Sequence, residues 1–162
     1  MTTTEQDLKI LDEQEQRLRF SGFDANAAWI LGSRLRRAAL EKGIGCSVEI
    51  EIAGQLLFAC ATPGATAGQA NWIRRKRNTV HHFARSTYAV GRKLERDGTT
   101  LLSKHGLADA DFVAHRGGFP LWVSGTGAVG SVVFSGLPQR DDHNTVVEAL
   151  AAVLEIEIPR LA

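Results

Sequence analysis

The period of the hydrophobic positions changes along the chain, and each change marks an element. Over residues 4–20, Leu8, Leu11 and Leu18 share one helical face, and Thr4 with Asp7 has the form of a capping box. Ser21-Gly22 interrupts this pattern. Asp24 is placed to cap a second helix running to about Lys42, with Ala28, Leu31, Leu35 and Ala39 on its apolar side. Gly43 is a natural stop, because glycine enters the left-handed cap conformation cheaply. The period then falls to two. Val48, Ile50 and Ile52 alternate with Ser47, Glu49 and Glu51, which is the pattern of a half-buried strand. Leu56, Phe58 and Cys60 continue on a second strand. A three-residue loop, Ala53-Gly54-Gln55, would pair Ile52 with Leu56, Ile50 with Phe58 and Val48 with Cys60, and so put every apolar side chain on one face.

Downstream, Thr66 with Gln69 predicts the cap of a long helix reaching about Glu95 and closed by Asp97-Gly98. A short helix is expected near Thr100–His105. Phe119–Ser124 and Ala128–Ser135 read as strands joined around Gly125-Thr126-Gly127. The last helix opens near Asp141-Asp142, whose charges suit a helix N-terminus, and buries Val146, Val147, Leu150, Val153 and Leu154. The order ααββα–ββα predicts an α+β fold: a central antiparallel sheet flanked by helices, in a three-layer-like sandwich. Residues 1–162 are expected to form a single domain with its core over about 8–155, and only Met1–Thr4 should be loose.

Composition narrows the function classes. The 162 residues hold 19 Lys+Arg against 18 Asp+Glu, a net charge of +1, which argues against a dedicated nucleic-acid binder. The longest apolar runs, Leu56–Ala61 and Ala149–Leu154, fall far short of the roughly 20 residues that span a bilayer. The start, Met1-Thr-Thr-Thr-Glu-Gln-Asp, lacks the basic and apolar regions of a signal peptide, so a cytoplasmic location without a membrane partner is expected. Two cysteines rule out a disulfide scaffold, and the hairpin register sets Cys46 diagonal to Cys60, roughly 7–8 Å away, so both are read as reduced thiols.

The neutral total hides an uneven distribution. Between Glu51 and Glu95 there is no acid, while Arg74, Arg75, Lys76, Arg77, Arg85, Arg92 and Lys93 are all basic. On a continuous helix Arg74, Arg77, His81, Arg85, Tyr88 and Arg92 form one stripe, opposite Ile73, Val80, Ala84, Thr87 and Leu94. Lys76 departs from this pattern, since it lies one turn from both Ile73 and Val80 on the apolar side. It is read either as a snorkelling lysine or as a cation aimed into a pocket, where it would meet an anion.

The five histidines have neither zinc-finger nor HExxH spacing, so no metal site is assigned. Six of the 16 glycines fall between Gly117 and Gly136. The run His115-Arg116-Gly117-Gly118-Phe119-Pro120 is open to two readings. One is a tight turn in a small sheet. The other is an anion cradle of backbone N–H groups over Arg116–Phe119, flanked by His115 and Arg116.

Gly117-Gly118-Phe-Pro120, Gly127-x-x-Gly130-x-Val132-x-x-Ser135-Gly136 and Asp142 at a helix start resemble the C-terminal half of the HbpS/GlcG-like family, often labelled a haem-degrading domain. Val48–Ile52, Gly54, Leu57-Phe58, and Lys76 on a long helix are similar to its N-terminal half. Asn71-Trp72-Ile73-x-Arg75-Lys76-x-Asn78-x-Val80, with Phe83 and Ser86, resembles a bacterial and fungal branch. The resemblance covers about residues 8–155. It implies an α+β fold, a cytoplasmic homo-oligomer and a cleft near the Gly-Gly-x-Pro turn, with haem among the candidate ligands.

Three functions follow as expectations. The first is a binding protein in which Lys76, His115, Arg116, Gly117 and Gly118 hold an anionic small molecule, such as a carboxylate or haem propionates, with Asp142 and His143 completing the site. The second is a structural or adaptor protein that self-assembles by pairing the basic stripe with Glu49 and Glu51, or with Glu155 and Glu157, of a neighbour. The third is an enzyme with His115 or His143 as general base.

Overall fold

The computed structural model describes residues 3–162, leaving aside the side chain of Gln139. Among the described residues are the helices α1 (Thr3–Arg17), α2 (Ala25–Lys42), α3 (Gly68–Phe83), α4 (Thr87–Asp97), α5 (Leu101–His105) and α6 (Gln139–Leu154). The strands are β1 (Arg19–Phe20), β2 (Ser47–Ile52), β3 (Gln55–Ala61), β4 (Gly118–Val123) and β5 (Gly127–Ser135). They make one sheet in the order β1-β4-β5-β2-β3, antiparallel except for the short parallel pair β1–β4.

Alternation along the strands sorts the two faces. Val48, Ile50, Phe119, Leu121, Val132 and Phe134 are buried together with Leu31 and Leu35 of α2 and with Val146, Val147 and Leu150 of α6. The opposite face mixes the buried Val133 with polar side chains. Ser47, Glu49, Glu51 and Ser131 meet α3 through Gln69, Arg77 and His81. The helices therefore flank the sheet on both sides, as the α+β expectation required. Asp24 caps α2 by accepting from the Ala27 N–H, and Gly43 closes it at φ 66°.

Several sequence expectations need correction. The expected helix over 66–95 breaks into two. Ala84 takes the left-handed conformation at φ 51°, and Ser86 caps α4 by accepting from the Ala89 N–H. Gln69 does not reach back to Thr66 through its side chain; its amide donates to the Gly45 carbonyl and its oxygen accepts from Ser47. Thr4 lies inside α1, and the Asp7 carboxylate goes to Arg92 instead of a cap. Thr3 and Thr4 are helical, while the Met1–Thr2 part of the expected loose segment lies outside the described residues.

The β2–β3 hairpin keeps the expected register only away from its turn. Its turn has two residues, Ala53 (φ 49°) and Gly54 (φ 82°), which pairs Ile52 with Gln55 and Glu51 with Leu56. A bulge at Leu57 then restores Ile50–Phe58 and Val48–Cys60. Leu56 consequently sits in the Glu51 register, away from the core, and is exposed. Cys46 and Cys60 are free thiols.

Candidate functional site

Lys76 reaches inward from α3 and is only 3% exposed. Its ammonium donates to Asp142 Oδ2 at 3.2 Å and to the Phe134 carbonyl at 3.2 Å. Asp142 stands in the first turn of α6, where the helix dipole favours an anion, and its Oδ1 accepts the Leu137 N–H at 2.8 Å. One ion pair thus ties α3, β5 and α6 together. Gly117 makes it possible. A Cβ there would lie 2.3 Å from the Phe134 carbonyl, 3.0 Å from Lys76 Nζ and 3.1 Å from Asp142 Cβ, and its φ of 123° strains any residue with a side chain.

Lys76 and Asp142 form one wall of a cleft of about 250 Å³ that also takes in Gln69, Trp72, His115 and Gly136. The His115 imidazole stacks on Trp72 with ring centroids 5.0 Å apart, and the Arg75 guanidinium lies 4.9 Å from the same indole. Burial pushes the Lys76 ammonium below its ordinary range, although Asp142 pulls the other way. Burial lifts the Asp142 carboxyl to about 6 despite Lys76 and two backbone N–H groups. Both shifts favour the neutral forms, so desolvation outweighs mutual attraction and the pair is held at a cost in stability. His115 is pushed down by burial and then by Lys76, Arg75 and Arg116, which leaves a neutral imidazole at pH 7.

The expected site residues therefore separate. Lys76, His115, Gly117 and Asp142 come together. Gly118 does not offer its N–H to a ligand, because it donates to Thr87 Oγ1 at 3.1 Å. The expected N–H cradle over Arg116–Phe119 is thus closed at Gly118. Arg116 turns away and lies 4.0 Å over the Tyr88 ring. His143 is 1% exposed and its Nε2 meets Gln14 Oε1 at 2.9 Å. Burial lowers its pKa to about 3, and its ring does not line the Lys76 cleft. Trp72 and Gln69 were missed, yet they precede Lys76 by four and seven residues and so share its helical face.

The basic stripe is neutralised within the chain. Arg77 pairs with Glu49 and Glu51, Arg85 with Asp12 and Glu15, and Arg92 with Asp7 and Glu95. Glu49 and Glu51 are therefore not spare acids for a neighbour, and the stripe itself is split by the turn at Ala84. His81 Nε2 faces both Ser131 Oγ at 3.2 Å and Glu51 Oε1 at 3.7 Å. With one nitrogen serving both, this is not the relay geometry of a hydrolase triad, in which the carboxylate orients the opposite nitrogen.

The family model described as haem degrading protein, HbpS-like, matches residues 23–151. The chain belongs to this HbpS-like family. A UPF0303 protein of Azotobacter vinelandii is 48% identical over 158 residues, covering 98% of this chain and 95% of the relative. The crystal structure of the Ybr137w protein superposes with a TM-score of 0.85 at 25% identity, over 91% of this chain and 87% of that one. PduOC, solved as a complex with haem, gives a TM-score of 0.69 at 17% identity over 86% and 99% of the two chains, and so shares the fold. The HbpS-like match takes in β2–β5 and all the residues of the Lys76 cleft. Among the described residues no helix is long and apolar enough to cross a membrane.

Proposed function

We propose that this HbpS-like protein binds a small anionic molecule in the Lys76 cleft. The observation that carries the reading is the buried Lys76–Asp142 pair at the wall of a cleft, where both charges are desolvated. Asp142 faces inward and orients the lysine. Lys76 and the nearby Arg75 then outnumber the single carboxylate. The Trp72–His115 stack offers a flat wall.

Haem fits one chain's cleft poorly. At about 250 Å³ the cleft lies below the roughly 300–1,000 Å³ of pockets that enclose a drug-sized ligand. A compact carboxylate fits better. Thermal-shift assays with acetate, oxalate, pyruvate and benzoate test this. At least one should raise the melting temperature of the wild type and leave Lys76→Met unmoved. No shift with any of them, or equal shifts in both proteins, refutes the reading.

We also propose self-association through apolar contact, in place of the ionic pairing expected from the stripe. Trp29 is 67% exposed and Ile30 56% exposed on α2, and Trp29 packs edge-on to Phe58 of β3, the last strand of the sheet. Sedimentation velocity should show a smaller species for Trp29→Ser/Ile30→Ser than for the wild type. Identical profiles would count against this face.

A further inference from the structure

A groove between α4 and α5 is distinct from the Lys76 cleft and has a different chemistry. Its floor is Phe83, Val90 and Leu94, and its rim carries Lys93, Arg96 and Lys104. Val90 and Leu94 belong with Leu101 to a small apolar cluster separate from the main core. The groove measures about 400 Å³, within the range of pockets that take small molecules.

Charge on the rim is unbalanced. Asp97 is the acid among the lining residues, and it accepts from Arg96 Nε at 2.8 Å and Lys104 Nζ at 2.6 Å. Arg85, at the other end, is already held by Asp12 and Glu15. Arg96 and Lys104 therefore share Asp97, Glu5 adds its charge toward Arg96, and Lys93 brings a further cation to the rim above an apolar floor. An inorganic anion would leave the floor unused. A neutral apolar ligand would leave the cations uncompensated. An anion carrying an apolar body satisfies both, since burial of the body is driven by its apolar area while the head stays with solvated lysines at the rim.

We propose that this groove binds an amphipathic carboxylate, with its aliphatic body on Phe83, Val90 and Leu94 and its carboxylate between Lys93 and Lys104. The site lies on the rim of the α4–α5 cluster and does not depend on the anion cleft.

The test is calorimetric titration of decanoate, below its micellar concentration, into the full chain. Saturable binding of one decanoate per chain is expected. Lys93→Glu/Lys104→Glu should weaken it by about tenfold or more, because each reversal converts an attraction to a repulsion. Lys9→Glu makes the same reversal on the exposed surface of α1 and should bind as the wild type does. Acetate, which lacks the body, and decylamine, which carries the opposite charge, should not bind in the groove. If circular dichroism shows the double variant unfolded, Lys93→Glu alone carries the comparison, since Lys93 is exposed on α4. The proposal is overturned if decanoate fails to saturate, if the charge-reversed groove binds as tightly as the wild type, or if decylamine binds as well as decanoate.

Discussion

Replacing Lys76 by methionine removes the ammonium while keeping most of the length of the side chain. Asp142, also 3% exposed, then retains the Leu137 N–H but loses its cation. Removing one member of a buried pair costs about 3–5 kcal/mol. For a chain of this size that lowers Tm by roughly 6–20 °C. The loss should depend on pH with a definite sign. Burial already holds the Asp142 carboxyl at about 6, against 3.8 when unfolded, even though Lys76 pulls it down. Without Lys76 it moves higher still. A carboxyl whose folded pKa is raised penalises the fold once it is ionised, and the penalty fades as pH falls through the folded value. Urea unfolding followed by circular dichroism at about pH 7.5 and about pH 5 samples two well-separated points along that change. Lys76→Met should lose most stability at the higher pH and regain a large part at the lower. Lys76→Met/Asp142→Leu removes both charges, and should be at least as stable as the wild type or within about 1 kcal/mol of it. Equal losses at the two pH values, or a double variant as unstable as the single one, would refute the reasoning.

Three other outcomes are expected. Gly118→Ala should destabilise by about 1–3 kcal/mol in chemical denaturation, because its Cβ would meet Val80 Cγ2 at 2.8 Å and Thr87 Cγ2 at 2.9 Å; an unchanged midpoint would contradict the packing. His143, held near 3 by burial, should stay neutral in an NMR titration down to about pH 4, and because its unfolded value is 6.5 it should contribute stability above that pH which is lost on acidification. Titration of its ring near 6.5 in the folded protein would show that water reaches it. Burial pushes the Cys46 thiol up to about 11 and Cys60 upwards as well, so iodoacetamide should alkylate both slowly in the native state and quickly after denaturation.

The sheet was legible in the sequence because the period-two stretches and the glycine turns agree with each other. The helix break at Ala84 was not. Neither glycine nor proline marks it, and the one local sign is Ser86, whose hydroxyl caps α4. The bulge at Leu57 was hidden because the period-two pattern predicts one register along the whole hairpin, whereas the two-residue turn holds only as far as Leu56. At the site, Lys76 stood out as a cation on an apolar face, but its partner lies 66 residues away and no local rule links them. His143 and Arg116 were grouped with their chain neighbours, and adjacency misled there. Successive residues on a helix point about 100° apart, and here Asp142 lines the cleft while His143 turns to Gln14. Trp72 was readable from its four-residue step to Lys76.

The match to the HbpS-like family, residues 23–151, leaves out α1 and the segment after Ala151. Those two outlying pieces hold each other. Gln14 of α1 donates to the Pro159 carbonyl at 2.8 Å, and Leu161 packs with Leu11 and Tyr88. The same Gln14 side chain closes over His143. Arg17 adds a second link to the Glu157 carbonyl, so the two pieces behave as a clasp whose latch is these contacts together. Amides at the two ends of the chain should therefore exchange with deuterium in step, at a rate set by that latch, while the sheet beneath stays protected.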